Sequence, residues 1–186
     1  SRRQRQMCIR DSPVLMVRDG DWKHQRRILV AVNVSGEQEY QDEFNQELVS
    51  TGMNLAENLN RGNVHLVAAY PVAPINMAID LPEFNTSGYE NGIRGQHLIN
   101  MKALRQKFGI DEDHTHVREG FPEEVIPEVA KEIEAELVIL GTVGRTGLSA
   151  ALLGNTAEHV ISKLSCNLLA LSLIHISEPT RHAQIS

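Results

Sequence analysis

The chain has 186 residues, 41% of them hydrophobic and 4% aromatic, with a formal charge of −6. An acidic chain without a basic patch is a poor partner for nucleic acid or for an anionic membrane. No apolar run approaches the ~18 residues of a membrane-spanning helix.

Both ends are set aside before the fold is read. Leu171–Ser177 (LSLIHIS) and Gln6–Ser12 (QMCIRDS) can be translated from one short DNA element in opposite orientations. That element looks like a sequencing-library transposon adapter, so residues 1–11 and 172–186 are expected to be scars. Without them five arginines leave against two acids, and the formal charge moves to −9. Cys166 is then the remaining cysteine, so no internal disulfide is available, and a reducing, cytoplasmic location is expected. A lone cysteine beside an apolar run reads as a small core residue. The remaining ~150 residues suffice for one domain that buries roughly 68–70% of its unfolded surface.

Pro13–Val17 is a short apolar strand, and Arg18–Arg27 reads as a polar linker. Ile28–Val32 is an unbroken apolar run, the mark of a strand buried on both faces. A helix follows from about Asp42 to Asn60, with Phe44, Leu48, Gly52, Leu55 and Leu59 along one side. Gly62 stops it. Val64–Tyr70 is the next strand. Pro71–Gly92, with three prolines, reads as a long irregular stretch, either a functional loop or a surface insertion packed on its own domain. Ile93–Phe108 is a helix capped by Gly109, and His114–Glu119 is a short strand. Pro122 opens a helix whose apolar face is Val125, Ile126, Val129, Ala130 and Ile133; Pro127 falls early enough to cause a kink at most. Leu137–Leu140 and Asn167–Ala170 are the last two strands.

Strands and helices alternate, and the central strands are apolar throughout. The fold class is therefore α/β, a doubly wound five-stranded parallel sheet of Rossmann-like type. Counting from Ile28–Val32, the expected strand order is 3-2-1-4-5. The order reverses between the first and fourth of these strands, so a ligand is expected above their carboxyl ends. Those ends carry Asn33 and Ser35 on one side and Gly141 on the other.

After Gly141 comes a loop with glycines at 144, 147 and 154, and then an amphipathic segment with Val160, Ile161 and Leu164 on one face. Glycine lets backbone approach a ligand closely, and unpaired N–H groups at the next helix start suit an anion such as phosphate. The spacing Gly-x2-Gly-x9-Gly, followed by Asn155-Thr156, is neither the P-loop nor the dinucleotide fingerprint. It resembles the nucleotide loop of the universal stress protein family. ILVAVNVS resembles that family's first strand, which ends in Asp-x-Ser, and GFPEEVIPEVAKEIEAELVILGTVGRTGL resembles its third helix running into the loop. HLVAAYPVAPINMAIDLPEF, RGQHLINMKALRQKFGI and ALLGNTAE resemble a tandem branch with two such domains.

The resemblance implies a cytoplasmic stress-response protein, non-enzymatic, with an ATP-type crevice. It implies nucleotide contacts at Asn33, Ser35, Gly141, Gly144, Arg145, Gly154, Asn155 and Thr156, and no metal. Asn33 stands where the family has Asp, and Asn155 where it has Ser or Thr, so ATP is expected to bind weakly. The resemblance also makes residues 12–27 the last strand of a preceding domain plus a linker, and residues 28–171 the family domain. Expected partners are an adenine nucleotide or another small anionic ligand, and either the missing first domain or a second copy paired through the sheet edge.

Two alternatives from other classes stand beside this reading. One is a structural interaction module that binds no nucleotide. The other is a binder of an amphiphilic anionic ligand under the Pro71–Gly92 loop. His114-x-His116 puts two imidazoles on one strand face, but nothing nearby completes a zinc set, so solvated strand-end histidines are expected. No nucleophile–base pairing is legible.

Overall fold

The computed structural model describes residues 13–18, 26–36, 39–59, 62–72, 86–142 and 155–172. In chain order the elements are β1 (Val14–Met16), β2 (Arg27–Ala31), α1 (Glu39–Asn58), β3 (Asn63–Tyr70), α2 (Thr86–Phe108), a 3-10 turn (Glu112–His114), β4 (Thr115–Glu119), α3 (Pro122–Glu132), β5 (Leu137–Thr142), α4 (Asn155–Lys163) and β6 (Asn167–Ser172).

The sheet runs β1-β6-β5-β2-β3-β4. Its five strands from β2 to β6 are parallel and keep the expected order. The sixth strand is the addition. β1 pairs antiparallel with β6, Val14 opposite Ala170 and Met16 opposite Leu168. The sheet is thus six-stranded and mixed rather than five-stranded and parallel.

Strand β2 shows why the sheet is covered on both faces. Ile28, Leu29 and Val30 are each fully buried, so neither side of the strand meets water. Ile28 and Val30 enter one core with Phe44, Leu48, Val49 and Met101 of α1 and α2. Leu29 enters the other with Val125 and Val129 of α3, Val160 of α4 and Leu168. Each such side chain contributes about 1.5–3 kcal/mol of burial free energy. Gly52 sits on the buried side of α1, where a Cβ would lie 2.8 Å from Val30 Cγ2. The missing side chain lets helix and strand approach closely.

Several element boundaries differ from the sequence reading. Helix α2 begins at Thr86 rather than Ile93, so part of the stretch expected to be irregular is helical. Gly92 and Gly95 lie inside it with open space where a Cβ would be. They interrupt the apolar period without obstructing the helix. Helix α1 spans Glu39–Asn58 rather than Asp42–Asn60, and β6 extends two residues past Ala170. Pro127 remains inside α3, as expected so near its start. Gly109 ends α2 at φ +66°, with the Ile110 N–H donating to Arg105 O, a left-handed cap.

Candidate functional site

A cavity of about 760 Å³ opens at the C-terminal ends of β2, β3 and β5. β2 continues outward through β3 and β4, while β5 and β6 lie on its other side, so this is where the winding reverses. Of the sequence-predicted site residues, Asn33, Ser35 and Gly141 line the cavity together. Asn155 and Thr156 form the first turn of α4. Gly144, Arg145 and Gly154 lie outside the described residues, as do Ile75, Ile79, Leu81 and Phe84.

Asn33 is exposed, but its amide is engaged. Its Oδ1 accepts the Ser35 N–H at 3.1 Å, which turns the chain as it leaves the sheet. Its backbone is held by Asn45, a residue 2% exposed that the sequence reading missed. Asn45 Nδ2 donates to Asn33 O at 2.7 Å, and Asn45 Oδ1 accepts the Asn33 N–H at 3.1 Å. One amide side chain thus satisfies both backbone groups of Asn33, where the chain has left the β-ladder. Asn100 holds the carbonyl of the next residue, donating from Nδ2 to Val34 O at 2.8 Å, and Gln96 Nε2 donates to Asn100 Oδ1 at 2.9 Å. The signal was there to be read: Asn45 follows Phe44 on the apolar stripe, and a polar residue in that place calls for a partner.

Gly141 has a different reason to be glycine from the one the loop suggested. A Cβ built on it would lie 2.1 Å from Phe44 Cε1 and 2.6 Å from Cζ. The ring of Phe44, 1% exposed, occupies the space a side chain would need. The hydroxyl of Thr142 donates to Leu171 O at 3.1 Å, tying the strand end to β6.

The described lining is apolar with a polar edge. Leu48, Pro71, Ile93, Phe121, Ile126 and Val160 form walls, and Asn33, Gln41 and Gln96 contribute amides. Among the described lining residues there is no Asp, Glu, Lys or Arg. His97 reaches the cavity with its Nδ1 2.9 Å from Ile93 O and its ring 5.7 Å from that of Tyr70. Such a cleft can hold a flat or apolar group between its walls and orient it by amide hydrogen bonds. The described lining residues supply no formal charge for an anion.

The second polar group lies at the opposite, N-terminal end of the sheet. His114 belongs to the 3-10 turn rather than to a strand, and neither it nor His116 is solvated in the manner expected. Both meet His65, which is 8% exposed. His65 and His114 rings are 4.2 Å apart between centroids, and His65 Nδ1 is 3.3 Å from His116 Nε2. The two histidines are half-buried because β3 supplies a third imidazole from across the ladder, a pairing invisible to local spacing. Burial and the neighbouring His114, His116 and Arg27 push His65 down to about 4. Burial also lowers His116, against the raising effect of Glu132. Among the described residues no group of histidines, cysteines and carboxylates is arranged to hold a metal ion, and no helix is long and apolar enough to cross a membrane.

The sequence profile of the Universal stress protein family matches residues 25–172. The chain is 96% identical over 159 residues to the Universal stress protein E homolog of Haemophilus influenzae, covering 86% of this chain and 52% of that protein. It is 58% identical over 160 residues to Universal stress protein E of Escherichia coli K12, covering 86% and 51%. The chain therefore spans about half the length of the curated relatives it matches. Among solved structures, a functionally unknown protein of Pseudomonas aeruginosa PAO1 superimposes with a TM-score of 0.69 at 27% identity, over 88% of this chain and 54% of that one. The universal stress protein UspA of Lactobacillus plantarum shares the fold, with a TM-score of 0.53 at 18% identity over 79% and 97%.

Proposed function

This chain belongs to the universal stress protein family, and on that premise we propose that its cleft binds an adenine nucleotide of the ATP type, or a similar small anion, weakly. It would then act through contacts with other proteins rather than by catalysis. The observation that carries the reading is the meeting of Asn33, Ser35 and Gly141 on the walls of one cavity at the reversal of the sheet. A base fits between the apolar walls, and the glycine segment that follows Gly141 would receive the phosphates. Asn33 in place of an acidic residue and Asn155 in place of a hydroxyl residue weaken that site.

A second reading is favoured by one observation. The described lining carries no Asp, Glu, Lys or Arg, which suits the apolar part of an amphiphilic anionic ligand. Native mass spectrometry of the protein purified without added ligand separates the readings. A retained nucleotide mass supports the first and a lipid mass the second. A bare protein that also gives no heat with millimolar ATP would overturn both and leave an interaction module. We further propose that residues 28–171 form the family domain and that residues 12–27 carry the strand and linker of a preceding one. The antiparallel β1, placed outside the parallel set, supports that division.

A further inference from the structure

The three imidazoles at the N-terminal end of the sheet play no part in the cleft, yet they join the edge strand to its neighbour. His65 stands on β3, His116 on β4 and His114 in the turn that leads into β4. Among the described residues strand β4 is the edge of the sheet and pairs with β3 alone, His116 lying opposite Val67. Whatever weakens this contact acts on an element with no further described strand beyond it.

Among the described residues, charged groups meet the cluster from several elements. Arg27 of β2 acts on His65, and Arg118 of β4 acts on His116. Glu132 of α3 also acts on His116, but it is engaged with Arg118 at 2.7 Å. On the other side, His114 borders a second cavity that Glu57 of α1 and Asp111 also line. Two guanidinium groups and one already paired carboxylate therefore confront His65 and His116.

We propose that His65 and His116, packed with His114, form an acid-operated latch that holds β4 on β3 while their rings are neutral and releases it when either takes up a proton. A proton on His65 places a cation in a site almost closed to water, beside two other imidazoles and within the field of Arg27. The sign follows from proton binding. His65 and His116 are neutral in the fold and titrate nearer 6.5 in the unfolded chain, so the unfolded chain binds more protons. The latch is fully effective above pH 6.5, weakens as pH falls through that value, and is spent near pH 4.

Release reaches the cleft. Tyr70 is paired with Glu119, and the Gly120 N–H donates to Tyr70 O at 2.9 Å. Gly120, Phe121 and Pro122, which continue directly from β4, form part of the cavity wall. Acid at one end of β4 thus loosens the wall at the other.

The test uses the whole chain with a chelator in every buffer. Urea titrations of the wild type and of His65→Gln are compared between pH 7.5 and pH 5.0. The wild-type folding constant should fall by about tenfold more than that of the variant over this range, since glutamine keeps a hydrogen-bonding group and takes no proton. Equal pH dependence of the two proteins would overturn the proposal. Proton titration of the wild-type imidazoles by NMR decides the matter even if the variant does not fold. His65 should titrate far below 6.5, and an ordinary midpoint refutes the latch. Hydrogen exchange, corrected for its intrinsic pH dependence, should quicken at acid pH over Thr115–Phe121 more than over Leu137–Thr142. Equal quickening in both strands would mean general destabilisation and would also refute it.

Discussion

Phe44 fills the space that any side chain on Gly141 would require, its Cε1 lying 2.1 Å from where a Cβ would be. The first glycine of the loop is therefore fixed by packing against α1, whatever the loop does with a ligand. Gly141→Ala should destabilise the fold by about 1–3 kcal/mol through overpacking. Shortening the ring in Phe44→Leu should cost stability alone but recover part of the loss in the double variant. Urea titrations of the four proteins would show the coupling, and strict additivity would mean that the ring moves aside freely.

Asn45→Leu should cost about 1–3 kcal/mol although leucine is a good helix former. It removes the partners of both backbone groups of Asn33 while leaving the residue buried. Asn45→Asp keeps the acceptor for the Asn33 N–H and loses the donor to Asn33 O, and should prove harmful as well. A melting temperature for the leucine variant equal to that of the wild type would show that water takes over both bonds.

The proposed nucleotide site makes a quantitative demand. Replacing a charged acceptor by an amide costs about 1.5–3 kcal/mol, and loss of a neutral hydrogen bond about 1 kcal/mol. Together these weaken binding by roughly a hundred- to a thousandfold. The double change Asn33→Asp and Asn155→Ser should tighten ATP at least tenfold in calorimetry, and Gly144→Val should abolish it. If the double variant is folded by circular dichroism and still gives no heat with ATP, the nucleotide reading falls.

Cys166 is free and half-buried, and burial raises its thiol above the ordinary value. At pH 8 it should react with iodoacetamide several times more slowly than a cysteine in an unfolded peptide. Unfolding in urea should remove the difference. A native rate equal to the unfolded one would show that the thiol is open to solvent.

The sheet was legible because its signal is continuous: Ile28–Val32 and Leu137–Leu140 are short apolar runs that suit strands covered on both sides, and alternation with helices points to a doubly wound parallel sheet. Asn33, Ser35 and Gly141 could be brought to one crevice because topology puts the ends of β2 and β5 together. What stayed hidden depends on contacts between distant segments. His65 sits in the apolar run VHLVAAY, and nothing local says that it meets His116 across a ladder. Asn45 looks like a polar residue on a helix until the chain leaving β2 is placed beside it. The start of α2 was obscured by Gly88 and Gly92, which weaken a helix without forbidding one.

The pairing of Val14 with Ala170 joins the first described strand to the last. Most of the chain lies between those two residues, and the entropy of closing so long a loop opposes the contact until the intervening chain is compact. The β1–β6 seam is therefore expected to form last and to open first. A pulling force applied at Val14 and Ala170 would act on this seam alone, and the five parallel strands would feel it only after β1 had peeled away.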